Sequence, residues 1–531
     1  MAMIPLTNDV IVWDNNGSNQ ALGTGNNSSW PQRFAVGNPE TGFSNYTVQC
    51  PPNMGDLFCA GHVWLPDGRL FVAGGNSRYT PFFEGSQVAA IWDPTSPRVA
   101  PYYGWAFLTT PMREKRWYPT VTLIVDSAGG HRVTVSGGVV TDPSPGCNMV
   151  GADPAFNTYE VFNLQTMTWE PEPNSNPVVP ARFGGPQGSP CFQPLGEYPR
   201  MHLVSTNSLF MVGMWRGASR VRHVSIGAPG MAQNAFGDWL EPWGGGWDSL
   251  AFHGYGSSVL LPNVGNTQLG QDLIMILGGG SGGTSTVLPT VNGTSGMIDG
   301  GATSPAWGFP FETMKSPRMC ANAVLLPTGE VLVVGGSSDY YFPAPLVPTP
   351  PRTPVYDAEI YSKNAVWSFV APQQSPRMYH STAVLLPSGK VLSGGGDIRS
   401  SDYEVYSPKS ILGVRPAFAG SWASPGALLL NWNTVYQIEH DPLPVGVTIS
   451  RLVLMRPCSV THHSDMDQRY VELDNVKMLP PIPEDTVQVR TPTAPAAGSV
   501  RGSTVAPRGY YMAFLVASNG QVSTAKWVRL P

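Results

Sequence analysis

Two stretches of this chain, SPRMCANAVLLPTGEVLVVGG (316–336) and SPRMYHSTAVLLPSGKVLSGG (375–395), repeat one another. Each has an apolar strand, a Pro-x-Gly turn, a second apolar strand and a glycine pair. Such a repeat constrains the fold strongly, because one unit cannot bury its apolar faces without its neighbours. Related segments are HVWLPDGRLFVAGG (62–75), YPTVTLIVDSAGGHRVTVSGG (118–138), RMHLVSTNSLFMVG (200–213) and YGSSVLLPNVGNTQLGQDLIMILGGG (255–280). Outer-strand pieces follow several of them: AAIWDP (89–94), YEVFNL (159–164), AEIYSK (358–363) and YEVYSP (403–408). Two inner strands, a glycine pair and two outer strands make a four-stranded blade, and blades arranged radially form a β-propeller. Tandem sandwiches would not need this unit. Six blade cores are visible, and DVIVWD (9–14) is expected to pair with the last outer strands and close a ring of seven.

The repeat ends near Pro408. Residues 411–531 carry alternating strands such as VTISRLVLMRP (447–457) and GYYMAFLVAS (509–518) without a glycine pair, which suits a small β-sandwich. The expected division is therefore a propeller over 1–410 and a sandwich over 411–531. Residues 281–305 and 340–354, rich in Gly, Thr, Ser and Pro, read as long surface loops.

Composition agrees. With 59 Gly, 53 Pro and only 13% charged residues in 531, but 16 Trp, the chain reads as all-β with many turns. A net charge of −5 argues against a nucleic-acid surface. No apolar run reaches the roughly 18 residues of a membrane helix. The start, MAMIPL, is too short for a signal-peptide core and fits a mature secreted chain given a new start codon. Sequons at Asn16, Asn26, Asn27, Asn45 and Asn292 are compatible with secretion. The six cysteines include no CxxC pair, which disfavours a thiolate zinc site and permits a disulfide such as Cys147–Cys191.

Only nine histidines are present, so their placement is informative. Tyr379-His380 opens an inner strand where the sister repeat has Cys320-Ala321. Consecutive strand residues face opposite sides, so both reach one site only where the chain turns. Tyr118, in RWYPT, occupies a corresponding position, and Cys59, in DLFCAGH, precedes another inner strand. His462 and His463 lie in THHSDMDQR after a C-terminal strand. Taken singly, each has an ordinary structural reading: a packed aromatic, a surface histidine, an inert buried thiol. Taken together, two imidazoles, two phenols and an unpaired thiol suit Cu(II) better than zinc or calcium.

These motifs closely resemble the copper radical oxidases, the family of galactose oxidase and glyoxal oxidase, over nearly the whole chain. FCAG (58–61) resembles the segment of the family's cross-linking cysteine, RWYPT that of its radical tyrosine, and YHSTAVLLPSG (379–389) its axial tyrosine and first histidine ligand. The pattern T-H-x5-Q-R matches Thr461-His462 with Gln468-Arg469 and so selects His462 over His463. The resemblance implies a seven-bladed kelch-type β-propeller followed by an immunoglobulin-like β-sandwich. It implies one copper ion held by Tyr118, Tyr379, His380 and His462, with a Cys59–Tyr118 thioether as radical cofactor. The expected enzyme is a monomer, secreted to the extracellular space or the cell envelope. The Tyr118 radical would abstract hydrogen, Tyr379 would take the substrate proton, and O2 would leave as hydrogen peroxide.

Two departures matter. Galactose oxidase shields its radical with a tryptophan shortly after the glycine pair, whereas GGVVT (137–141) supplies none. Trp117, Trp215 and Trp247 are the candidates here. The chain also begins at the propeller, and RWYPT and CAGH look more like the glyoxal-oxidase branch. That favours a small aldehyde (as hydrate) or a primary alcohol over galactose. The rival reading is a non-catalytic kelch propeller that binds glycans or proteins, which would need no Tyr/His/His/Cys set in register.

Overall fold

A computed structural model of the chain describes residues 1–14, 31–51, 55–78, 84–125, 130–138, 159–170, 197–204, 208–212, 221–225, 255–262, 272–281, 290–291, 295–299, 307–308, 313–339, 353–397, 402–475, 485–492 and 506–531. Among these, the regular structure is β-strand with two short 3-10 turns. Each of the six repeated segments forms an antiparallel hairpin in a separate sheet. The two clearest are Asn322–Leu325 with Val331–Val334, and Ser381–Leu385 with Val391–Gly395. The outer pieces Ala89–Trp92, Tyr159–Asn163, Ala358–Tyr361 and Tyr403–Tyr406 pair onto the second strand of their hairpins. First strands of successive sheets lie side by side: Asp56–Trp64 against Thr120–Val125, then Arg200–Val204. Likewise Ser257–Leu260 lies against Asn322–Leu325, and that against Ser381–Leu385.

The glycine pairs make the joints between sheets. Gly335 and Gly336 hold φ of 70° and 101°, where a side chain is strained. A Cβ on Gly335 would stand 2.4 Å from the Arg377 carbonyl oxygen of the next sheet. The Gly336 N–H donates to that same carbonyl at 2.6 Å, and Gly75 and Gly279 bond Arg116 and Arg318 in the same way.

The arginine of each joint ends in an acid, which is buried for Arg116 and Arg318 and partly exposed for Arg377. Arg318 Nη2 donates to Glu359 Oε1 at 2.7 Å with neither side chain exposed. Arg116 pairs with Glu160, and Arg377 with Asp402. These pairs hold an outer strand against the start of the inner hairpin.

Two expectations are corrected. DVIVWD does not join the last outer strands. Val10–Asp14 pairs with Ala2–Met3 on one side and Pro31–Asn38 on the other, and Gly42–Gln49 completes a four-stranded sheet of its own. The hairpin 31–49 satisfies the edge that the last sheet was expected to cover, and it lacks the glycine pair that marks the others. Within 281–305, Ser295–Asp299 is a strand rather than loop and pairs with Leu273–Leu277. The glycines around it mask its alternation.

Beyond residue 411, a five-stranded sheet (Leu428–Leu429, Lys526–Leu530, Gly509–Ala517, Ile449–Met455, Tyr470–Glu472) covers a three-stranded one (Val435–Glu439, Thr486–Arg490, Asp474–Asn475). Alternation within Ile449–Met455 splits its duties. Leu452 and Leu454 join the core between these two sheets, with Trp422 and Ile438. Val453 and Met455 join Leu325, Leu385 and Val391 in a core shared with the repeated sheets. That shared core fixes where the next segment, 456–469, enters.

Candidate metal centre

Side chains that start the inner strands sit in the left-handed backbone region: Cys59 (φ 63°), Tyr118 (61°), Tyr198 (44°), Tyr255 (52°), Cys320 (57°) and His380 (67°). For non-glycine residues this costs on the order of 1–3 kcal/mol each, and such strain gathers at functional sites. Backbone bonds tie neighbours together: Tyr118 N–H to Cys59 C=O (3.2 Å), Tyr198 N–H to Tyr118 C=O (2.7 Å), and Cys320 N–H to Tyr255 C=O (2.7 Å). The turn at His380 answers how consecutive Tyr379 and His380 meet, their ring centres lying 4.0 Å apart. It also corrects the register. Of the three glycines 394–396, the two with positive φ, Gly395 and Gly396, are the counterparts of Gly335 and Gly336, so His380, not Tyr379, matches Cys320 in backbone conformation and in distance from them, and Tyr379 is one additional residue.

The C-terminal contribution is a tight turn. Thr461 and Ser464 exchange backbone bonds (3.1 and 2.8 Å), leaving His462 (φ 46°) and His463 (φ 57°) as its central pair. Two positive φ values are the mark of a type I′ turn, normally given to Asn-Gly. The residues after the turn show why. Asp465 Oδ1 accepts the Asp467 and Gln468 N–H groups at 3.0 and 3.1 Å. Gln468 accepts from Leu325 N–H (3.0 Å) and donates to Ala323 C=O (2.9 Å). Arg469 donates to Leu203 C=O (2.6 Å), and Asp467 accepts from Trp64 N–H (3.1 Å). The Q-R of the motif thus docks the turn onto inner strands of separate sheets.

Cys59, Tyr118, Tyr379, His380 and His462 come together. The Tyr379 hydroxyl donates to the Tyr118 oxygen at 2.7 Å, both buried. Cys59 Sγ lies 3.6 Å from His462 Nε2. Donor atoms of Cys59, His380 and His462 all fall within 4.8 Å of one another. His380 Nδ1 meets Asp397 Oδ1 at 2.6 Å and His462 Nδ1 meets Thr461 Oγ1 at 2.8 Å. His463 turns away: its carbonyl accepts from Ser257 Oγ at 3.0 Å, and its ring lies 6.0 Å from that of Tyr255.

Burial sets the protonation of these groups. It drives the phenols of Tyr118 and Tyr379 well above their ordinary range, each reinforced by nearby acidic groups. It raises the Cys59 thiol likewise. It lowers His462, with His380 and His463 adding repulsion. Neutral imidazoles and phenols near a cation become its ligands, because the charge favours phenolate.

A metal fits on structural grounds. His380 Nε2 is buried with no hydrogen-bond partner among the described residues, and two phenol oxygens and a second imidazole stand beside it. Nitrogen and oxygen donors of this kind suit Cu(II).

Of the tryptophans considered, Trp117 stacks on Tyr118, with ring centres 4.3 Å apart and planes at 23°. Trp215, Trp247, the end of GGVVT and the Cys147–Cys191 pair lie outside the described residues. Sequence reasoning missed Tyr198, whose ring lies 5.0 Å from Tyr118 and 4.7 Å from His462. Its signal was YPR (198–200), an echo of YPT (118–120) at the start of the next inner strand. Asp397 was also missed, since nothing local marks an aspartate after a glycine pair.

Comparison with known proteins points one way. Residues 245–409 match the family model described as glyoxal oxidase N-terminus, and residues 415–530 match the galactose oxidase-like early set domain. An aldehyde oxidase of Vitis pseudoreticulata is 25% identical over 503 residues, covering 90% of this chain and 82% of the relative. A galactose oxidase of Gibberella zeae is 26% identical over 235 residues, covering 43% of this chain and 32% of the relative. A solved fungal alcohol oxidase of the AA5 family, in complex with copper, shares the fold at a TM-score of 0.70 and 20% identity. It covers 100% of this chain, and 96% of that chain is matched.

Proposed function

Because the chain belongs to the copper radical oxidase family of glyoxal oxidase and galactose oxidase, we propose that Tyr118, Tyr379, His380 and His462 hold one copper ion and that Cys59 is joined to the Tyr118 ring by a thioether. The observation that carries this reading is the convergence of these five side chains, from three repeats and a C-terminal turn, on one buried point. The repeated sheets and the N-terminal sheet then read as the blades of a seven-bladed kelch-type propeller over 1–410. The sandwich over 411–531 lends His462.

Bound copper would supply one of the two electron-accepting centres of the oxidation, the other being the Tyr118 ring. The chain's own residues do the rest. Tyr379, which a bound copper ion would hold as phenolate, then takes the proton of the substrate hydroxyl as general base. Burial of Tyr118 and Cys59 keeps water from the radical side. The stacked Trp117 covers one face of the Tyr118 ring. The reaction is the two-electron oxidation of a small aldehyde, as its hydrate, or of a primary alcohol, with O2 reduced to hydrogen peroxide. The long match to a plant aldehyde oxidase supports the aldehyde. On this reading the enzyme acts as a monomer in the extracellular space or the cell envelope.

Copper-loaded protein should therefore release peroxide in a coupled assay, more from small aldehydes than from primary alcohols or galactose. Wild-type protein that binds no copper after reconstitution would sink the reading, and galactose as the preferred substrate would overturn the aldehyde assignment. Trp117→Ala should bind copper normally but lose its radical absorbance faster than wild type after oxidation. An unchanged lifetime would remove Trp117 from the shielding role.

A further inference from the structure

We propose that Asp397 is a positioning residue for His380, fixing which ring nitrogen of that histidine faces the copper site; the inference rests on the copper reading above. Asp397 directly follows Gly395-Gly396, the glycine pair of the same hairpin that His380 opens. It holds the Tyr379-His380 pair at two points. Its backbone N–H donates to the Tyr379 carbonyl at 3.2 Å, and its Oδ1 stands 2.6 Å from His380 Nδ1.

A carboxylate oxygen only accepts, so Nδ1 must carry the hydrogen and the lone pair is left on Nε2. Nε2 is the atom that is buried without a hydrogen-bond partner among the described residues. The tautomer that Asp397 selects is therefore the one a metal needs, and a carboxylate behind an imidazole also makes it a better donor.

The second histidine is held differently. The partner of His462 Nδ1 is the Thr461 hydroxyl at 2.8 Å, which can donate or accept and so selects no tautomer by itself. His462 is instead wedged among the rings of Tyr118, Tyr198 and Tyr379, at 4.8, 4.7 and 5.3 Å. The His380 side chain keeps 26% of its surface exposed, so packing restrains it less and the carboxylate has more to do. His380 packs on the rings of Tyr379, His462 and Phe58 as well, at 4.0, 4.5 and 5.2 Å, but its Nδ1 meets a carboxylate where that of His462 meets a hydroxyl.

The test measures Cu(II) affinity by competition with a chelator, together with the copper hyperfine splitting in EPR. It compares wild type, Asp397→Asn and Asp397→Ala, and repeats both substitutions in a His380→Ala background. Asp397→Ala should weaken Cu(II) binding about 10–100-fold and alter the hyperfine splitting. Asp397→Asn, whose amide oxygen still accepts, should fall between. In the His380→Ala background neither substitution should weaken binding further.

Wild-type affinity and an unchanged spectrum in Asp397→Ala would overturn the proposal. So would an equal loss in the His380→Ala background, which would mark a general structural role. Should Asp397→Ala not fold, Asp397→Asn decides by the same criteria. Absence of copper binding by the wild type would instead overturn the copper reading and this inference with it.

Discussion

Replacing Cys59 by serine should leave a protein that binds copper and oxidises nothing. The side chain is buried, so serine fits the space, but an oxygen in place of sulfur cannot form the thioether. The proposed four ligands are untouched, so Cu(II) affinity should stay near wild type. What is lost is the lowered cost of oxidising Tyr118, which depends on spreading the unpaired electron from the ring onto sulfur. Thioether formation joins Cys59 Sγ to a ring carbon and removes one hydrogen from each, with O2 as oxidant. Matured wild-type protein should therefore be lighter than its sequence mass by two hydrogen atoms, and Cys59→Ser should show no such deficit. After oxidation, the broad visible and near-infrared absorption of a tyrosyl radical coupled to Cu(II) should appear in wild type alone. Peroxide release by Cys59→Ser should fall to assay background. Wild-type activity in Cys59→Ser would remove the thioether from the mechanism while leaving the copper site standing.

The second large effect concerns stability. Arg318 and Glu359 are both fully buried, and Arg318 also donates to the carbonyls of Ser316 (3.1 Å), Gly335 (3.1 Å) and Asp357 (2.6 Å). Burial alone lowers the guanidinium pKa, and the charge and hydrogen bond of Glu359 oppose that shift. Arg318→Met removes the counter-charge and leaves a carboxylate in the core, where, among the described residues, the Lys315 and Ser316 N–H groups (2.7 and 3.1 Å) are what still reach it. The expected loss is about 3–5 kcal/mol, read from denaturant unfolding. The double substitution Arg318→Met with Glu359→Leu should recover much of that loss, because no buried charge then remains unpaired. A single variant as stable as wild type, or a double variant no better than the single, would show that the pair does not hold the outer strand as argued.

The repeated hairpins were legible because a Pro-x-Gly turn and a glycine pair are demands of local geometry. Gly335 and Gly336 need positive φ and room for the Arg377 carbonyl wherever the sheet sits. The N-terminal sheet was misread for the converse reason. Val10–Asp14 carries an apolar run but no glycine pair, and its partners Ala2–Met3 and Pro31–Asn38 are set by long-range pairing. Tyr118, Tyr379 and His462 stood out because each sits in a short string of unusual residues. Asp397 and Tyr198 did not, because an aspartate after glycines or a tyrosine before a proline has many ordinary reasons to be there.

By itself the sequence determined the all-β class, the six hairpins and the residue types available for a copper site. Those follow from alternation, turn chemistry and side-chain chemistry, all of which act within a few residues. Only the tertiary structure decided how those residues meet. The left-handed turn at His380 lets neighbours Tyr379 and His380 face one point, and Tyr379 proves to be an additional residue rather than the match of Cys320. The docking of Gln468 and Arg469 onto strands more than a hundred residues away points His462 inward and turns His463 aside. Asp397 meets His380 only because the end of one strand lies beside the start of its partner. Each depends on distances between chain segments, which hydrogen bonding and packing set once the sheets have assembled.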